Sequence, residues 1–302
     1  EFGTAGMRGL LGPGTNRINI HTIRKATQGY ANYINENNGG EAGIAIGYDN
    51  RHMSKEFAFD CADLLAKNNI KSYVFESLRP TPELSFAVRH LKCFGGIMIT
   101  ASHNPKEYNG YKLYDGKGCQ LIPCLASQVI ERVNAIEDEL AIDANCTEEQ
   151  KKLITVIGKD VDEEYYKNVL SIQLNPEVKK DIKIVFSPEH GTANIPVQEV
   201  YKRAGYTCIP VVEQCSPDPD FSNTPTPNPE QAGAYELSLK YAKENHADLI
   251  LVCDPDADRM GVGVLHNGEY VVLTGNQSGS VEIEYICSQL QKQGKMPENP
   301  VM

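Results

Sequence analysis

The chain has 302 residues, 41% of them hydrophobic and 23% charged, with 25 Gly, 17 Pro and no Trp. Those proportions exclude collagen-like, coiled-coil and disordered classes, and the length suits about two domains of ~150 residues. With 29 basic and 40 acidic residues the net charge is -11, a sign that opposes nucleic acid and anionic membrane as partners but leaves a small phosphorylated substrate open.

Ile23, Ala26, Tyr30 and Ile34 recur at helical spacing and predict a helix over 21–36. Ile44-Ala45-Ile46-Gly47 is an apolar run that reads as a buried strand, ending in Tyr48-Asp49-Asn50-Arg51. Ser54 stands where a cap belongs, before Phe57, Cys61, Leu64 and Leu65 on one helical face. A strand follows at 72–75, then a helix starting at Thr81-Pro82-Glu83, with Pro at the first helical position. A third strand covers 96–100, followed by a polar loop, a hairpin around Asp115-Gly116-Lys117-Gly118 and a helix over 123–138.

The second half repeats the cadence. Residues 147–170 interleave Lys and Glu in a helical pattern and read as a bridge between domains. Strands are predicted at 182–186, 207–212 and 249–253, with helices at 197–204 and 230–244 and a Pro-rich loop at 216–229. A last strand at 269–273 and a helix over 279–293 form too short a unit for a domain. The alternation predicts an α/β fold: two consecutive mixed, mostly parallel sheet domains of similar topology plus the start of a third. The expected divisions are 1–146, 147–268 and 269–302.

No apolar run reaches the ~18 residues of a membrane span, and no secretion signal is visible. The nine cysteines are odd in number and lack a C-x-x-C, so a cytoplasmic, reducing location is expected over a disulfide framework.

Ligands of open α/β sheets sit beyond the carboxyl ends of the strands, which directs attention to two loops. The first runs from Thr100-Ala101-Ser102-His103-Asn104-Pro105 to Asn109-Gly110-Tyr111-Lys112. Ser102 is a nucleophile only if a base or a stabilised anion supports it. His103 is adjacent, but neighbours point apart in an extended chain, so the residues alone do not make it that base. Lys112 can curl back toward Ser102. A polar turn capped by Ser102 is the competing reading. The second loop is Asp254-Pro255-Asp256-Ala257-Asp258-Arg259. Its alternating carboxylates can converge on a hard cation. Arg259 replaces the glycine of a calcium loop and Leu265 stands at its twelfth position, so Mg²⁺ completed by phosphate fits better.

Together these loops resemble the phosphoserine and magnesium signatures of the α-D-phosphohexomutases. Phe2-Gly3-Thr4-Ala5-Gly6-Met7-Arg8-Gly9, Gly47-Tyr48-Asp49-Asn50-Arg51, Pro80-Thr81-Pro82-Glu83, His190-Gly191-Thr192-Ala193 and Pro227-Asn228-Pro229-Glu230 agree in order. The opening Phe2 to Asn19 is most similar to the phosphoglucomutase and phosphopentomutase branch. The resemblance implies that phosphorylated Ser102 passes its phosphoryl group to a sugar 1-phosphate. The resulting sugar 1,6-bisphosphate, also the activator, turns round and leaves as the 6-phosphate (or 5-phosphate for a pentose). It further implies Mg²⁺ on Asp254, Asp256, Asp258 and the phosphoserine, Lys112 as general acid/base, and Arg8 and Arg259 holding phosphoryl charge. His103 and Asn104 would shape the nucleophile's loop, and Thr4 would join phosphate binding. Arg51 reaches substrate or caps a strand end, two readings that stay level. Lys106 is left as solvated or functional. His190-Gly191-Thr192 is expected to serve packing over hinge motion, and Gly3, Gly6 and Gly9 tight turns.

The family has four domains round one cleft, and the resemblance covers two and the edge of a third. The chain, which opens without Met, is therefore expected to be an N-terminal fragment with little or no turnover. Two other readings compete: a phosphatase using Asp254 as nucleophile and Asp256 as acid, and a non-catalytic protein that binds sugar phosphate.

Overall fold

Asn19 sets the start of the first helix. Its side chain accepts from the backbone of His21 and Thr22 while Thr22 bonds back to Asn19, a reciprocal capping box. From there the computed structural model, which describes residues 6–300, follows the expected alternation. In chain order the first half contains β1 (Met7–Leu10), α1 (Ile20–Glu36), β2 (Ile44–Tyr48), α2 (Ser54–Lys67), β3 (Ser72–Phe75), α3 (Thr81–His90), β4 (Gly95–Ile99), β5 (Tyr108–Asp115), α4 (Pro123–Asn134), the one-turn α5 (Glu148–Lys151), β6 (Ile154–Ile157) and α6 (Lys159–Ser171). The second half contains β7 (Lys183–Ser187), α7 (Asn194–Ala204), β8 (Thr207–Pro210), α8 (Glu236–Asn245), β9 (Leu249–Cys253), β10 (Met260–His266), β11 (Glu269–Leu273) and α9 (Gly275–Lys292).

The strands form two mixed sheets, in the order β1-β5-β4-β2-β3-β6 and β11-β10-β9-β7-β8. In the first, β4, β2, β3 and β6 are parallel, while β5 runs antiparallel to both β1 and β4. The second pairs β8, β7 and β9 in parallel and appends β10 and β11 antiparallel. Helices cover both faces. Ile23, Tyr30, Phe57 and Leu65 pack with Ile44 and Ile97 on one side of the first sheet, and Leu84 and Val88 pack with Phe75 and Met98 on the other. Burial of each such side chain contributes about 1.5–3 kcal/mol. β2 is buried at every position, as a central parallel strand requires.

Three expectations need correction. Residues 154–157 form a strand, because the β-branched run Ile154-Thr155-Val156-Ile157 favours the pleat over the helical pattern around it. The first sheet thus extends past residue 146. Residues 269–273 belong to the second sheet: Asn267 and Gly268 take φ of 51° and 84°, the left-handed pair of a tight hairpin, and return β11 onto β10. Ser54 is the first residue of α2 and does not cap it; its hydroxyl donates to Asp49 Oδ1 at 2.7 Å. Among the described residues no helix is long and apolar enough to cross a membrane.

Candidate functional site

The carboxyl ends of the parallel strands carry the site. β4 ends at Ile99, and three residues on Ser102 takes φ of 54°. A side chain rarely accepts that left-handed backbone, and local contacts must hold it. One is the Ser102 amide donating to Thr100 Oγ1 at 2.8 Å. The other is Arg51. Its guanidinium donates to the carbonyls of Ser102 (2.7 Å), Asn104, Pro105 (2.8 Å) and Tyr108 (3.1 Å), so the loop is wrapped around one buried cation. Asp49 lies 3.3 Å from its Nε, and the Phe221 ring stacks on it with 5.1 Å to the ring centroid. Arg51 is therefore turned inward, holding the loop. A guanidinium removed from water must direct its donors to acceptors, and the loop carbonyls are those acceptors.

The strained turn also revises the view of His103. With Ser102 left-handed, the neighbouring side chains fall on one side, and His103 Nδ1 lies 3.2 Å from Ser102 Oγ. Burial first, then the charges of Arg259 and Arg8, lower the His103 pKa and favour the neutral ring. Asn104 accepts from Arg8 Nη1 at 2.9 Å, so Arg8 is tied to the same loop.

Register delivers the two cations of the first sheet. Arg8 on β1 pairs with Gly110 on β5, and Lys112 pairs with Met98 on β4. Gly110 must lack a side chain, since a Cβ there would lie 2.5 Å from the Thr100 carbonyl oxygen and 2.6 Å from that of Met7. Lys112 is buried, and its ammonium donates to Asp256 Oδ2 at 2.8 Å and lies 3.4 Å from Asp258 Oδ2. Burial alone would lower its pKa; the two carboxylates outweigh that and hold it above the ordinary lysine value.

The acidic loop follows β9. Ser102 Oγ donates to Asp254 Oδ2 at 2.9 Å, joining the two sheets at the serine hydroxyl. Asp254 Oδ1 accepts from the Arg259 amide at 3.1 Å. Burial, then Asp256 and Asp258, push the Asp254 carboxyl well above the usual range. Asp256 is equally buried, but Lys112 overcomes the desolvation and keeps it below that range. One carboxylate oxygen from each of Asp254, Asp256 and Asp258 lies within 4.8 Å of the others, and Asp256 Oδ1 is buried with no hydrogen-bond partner. Such an orphaned anionic oxygen calls for a cation. Arg259 is about two-fifths exposed beside Asp258 and Glu230. Lys106 pairs with Asp220 at 3.2 Å. Thr4 and Gly3 lie outside the described residues; Gly6 has φ of 92° as a tight turn needs, whereas Gly9 is an ordinary position in β1.

Four supporting residues escaped the sequence reading. Thr81, at the start of α3, donates its amide to the Asp256 carbonyl and its hydroxyl to Asp256 Oδ2. Thr192 donates its amide (2.8 Å) and hydroxyl (3.0 Å) to the Pro255 carbonyl. Asp49 neutralises Arg51, and Arg79 forms a two-pronged pair with Asp162 on α6. Asp49, Thr81 and Thr192 lie in stretches that agree in order with the family signatures, whereas Arg79 offers no cue beyond following a strand.

Two α/β sheets meet at a serine and an acidic triad, and this fold recurs in solved structures. A phosphoglucomutase/phosphomannomutase family protein from Burkholderia thailandensis superposes with a TM-score of 0.75 at 18% identity, over 95% of this chain and 59% of that one. The N-acetylphosphoglucosamine mutase of Aspergillus fumigatus, solved with GlcNAc-6P and magnesium, gives a TM-score of 0.52 at 15% identity, over 97% of this chain and 56% of that one. The family descriptions "phosphoglucomutase/phosphomannomutase, alpha/beta/alpha domain I" and "domain II" match residues 1–140 and 163–267. A Staphylococcus aureus phosphoglucomutase is 39% identical over 95% of the chain. The chain belongs to the phosphoglucomutase/phosphomannomutase family. It spans about half the length of the curated relatives it matches, 52% of the Staphylococcus aureus protein.

Proposed function

We propose that this chain carries the phosphoryl-transfer centre of a magnesium-dependent sugar-phosphate mutase acting between a sugar 1-phosphate and its 6-phosphate, with glucose the first sugar to test. The observation that carries this reading is the 2.9 Å bond from Ser102 Oγ to Asp254 Oδ2, beside an unpartnered Asp256 oxygen and a buried Lys112. Asp254, Asp256 and Asp258 would hold Mg²⁺ with the phosphorylated Ser102. When bound, the ion supplies charge neutralisation for the phosphoryl oxygens. The charge inventory closes. A phosphoserine of about -2 and three carboxylates amount to about -5, which a divalent ion with Lys112, Arg8 and Arg259 balances.

The residues divide the work. Arg51 keeps Ser102 in its left-handed turn, so the oxygen is held for in-line transfer. A sugar hydroxyl attacks the phosphorus as the bond to Ser102 Oγ breaks, giving the sugar 1,6-bisphosphate. Lys112, kept protonated by its carboxylates, serves in the acid direction, giving a proton to the departing serine oxygen and regaining one through solvent from the attacking sugar hydroxyl, so that the hydroxyl proton ends on Ser102; the second transfer runs the same proton path in reverse. After the bisphosphate turns round, Ser102 takes the other phosphoryl group and the 6-phosphate leaves. Arg8, Arg259 and the neutral His103 ring stabilise the oxygens in flight. The first sheet thus brings the nucleophile and the second the metal ligands.

The test is intact-mass and peptide analysis after incubation with glucose 1,6-bisphosphate and Mg²⁺. One phosphate on Ser102 is expected. Phosphate on Asp254 with Ser102 unmodified would favour the phosphatase reading, and no incorporation would favour a protein that only binds.

A further inference from the structure

Asp256 offers two oxygens with opposite fates. Oδ2 accepts from Lys112 Nζ at 2.8 Å and from Thr81 Oγ1 at 3.0 Å, while Oδ1 is buried and bare. A carboxylate held by one flexible lysine can swing about its terminal torsion, which has a broad well. A second donor on the same oxygen, from another direction, removes that freedom and leaves Oδ1 aimed into the acidic triad. Thr81 is suited to this. It is buried, it opens α3, and its amide also donates to the Asp256 carbonyl at 2.8 Å, so backbone and side chain of one residue grip backbone and side chain of the other.

Thr81 is itself anchored. Two residues before it, Arg79 donates to both Asp162 oxygens at 2.7 and 2.9 Å, binding the start of α3 to α6. On the far side of the acidic loop Thr192 pins the Pro255 carbonyl with two donors. The loop is thus held at consecutive residues, Pro255 from the second sheet's own β7–α7 connection and Asp256 from the first sheet.

We infer that Thr81 is a positioning residue for cation binding: its hydroxyl fixes the rotation of Asp256 so that Oδ1 is presented to a divalent ion. The inference rests on the metal-site reading above. It makes the cation site a product of both sheets, because a residue of the first orients a carboxylate of the second.

The test compares Thr81→Val and Thr81→Ser with the unsubstituted protein by calorimetric titration with Mg²⁺, alongside melting temperatures in EDTA. Val keeps the β-branched shape and removes the hydroxyl; Ser keeps the hydroxyl. Loss of an outer-shell partner typically weakens metal affinity about 10–100-fold. We expect a weakening of about tenfold for Thr81→Val, near-normal affinity for Thr81→Ser, and a melting point of the metal-free Val protein within a few degrees of the original. Unchanged Mg²⁺ affinity in Thr81→Val overturns the inference and leaves the metal-site reading intact. So does equal weakening in both variants. A fall in EDTA melting temperature with normal Mg²⁺ affinity assigns Thr81 a structural role only and likewise overturns it. No Mg²⁺ binding by the unsubstituted protein overturns both readings together.

Discussion

Gly191 lies against Pro255 so closely that a Cβ on it would sit 2.4 Å from both the α-carbon and the carbonyl oxygen of Pro255. Backbone cannot give way as the end of a side chain can. Gly191→Ala must therefore push the acidic loop away from β7, loosening the two Thr192 bonds to Pro255. Overpacking of this kind costs about 1–3 kcal/mol. Chemical denaturation should show that loss, and Mg²⁺ titration should show weakened binding in the same protein. The expectation that His190-Gly191-Thr192 serves packing is thus given a specific partner, the backbone preceding Asp256.

Arg51→Lys is expected to injure the nucleophile's loop while keeping the charge. One ammonium cannot replace a planar fork that serves four carbonyls and an aspartate. Leaving buried acceptors without donors costs about 1–3 kcal/mol each when water cannot enter. The predicted outcome is a lower melting temperature and slower phosphorylation of Ser102 by glucose 1,6-bisphosphate. An Arg51→Lys protein that phosphorylates at the original rate would remove Arg51 from the support of that turn.

How far the sequence reached can be read from these residues. Strands buried along their length, such as β4 and β9, announce themselves as continuous apolar runs, and the polar loops after them hold Ser102 and the acidic triad, while Lys112 lies on β5. Ser102, Lys112 and the acidic triad were therefore legible, helped by motif order. Arg51 was not, because a guanidinium followed by solvated residues looks the same whether it points outward or inward; only the fold of residues 102–108 decides. Thr81 was hidden behind its more obvious service as a helix start. The contact of His103 with Ser102 was not legible because neighbours diverge in an extended chain, whereas Ser102 has φ of 54°. The edge strand β6 was obscured by the Lys and Glu that keep its surroundings polar.

Ser102→Ala should abolish phosphate incorporation, since no other group described at the site combines a hydroxyl with the Asp254 contact. Asp256→Asn should leave incorporation slow and weaken Mg²⁺ binding by more than the about 10–100-fold of an outer-shell loss. For the unsubstituted protein, Mg²⁺ at 100 times its dissociation constant should stabilise the fold by about 2.7 kcal/mol, and EDTA should remove that gain. The Asp256→Asn protein should show little shift at the same Mg²⁺ concentration. Differential scanning with and without EDTA makes the comparison.

Glu189 provides a pH test away from the reacting atoms. It is fully buried after β7, with Oε1 accepting from Ser187 Oγ at 3.1 Å and Oε2 without a partner. Burial pushes its carboxyl up to about 8, against 4.5 for an ordinary glutamate. Between those values the folded protein holds a proton that the unfolded chain has lost, so folding stability must fall as pH rises through that window. The neutral Glu189→Gln variant has no such proton to lose. Urea unfolding at pH 5.5 and pH 8 should therefore show a steeper loss in the original protein than in Glu189→Gln, with the Gln variant relatively better at the higher pH. Parallel pH profiles for the two proteins would mean that the Glu189 carboxylate is ionised in the folded state across the whole window.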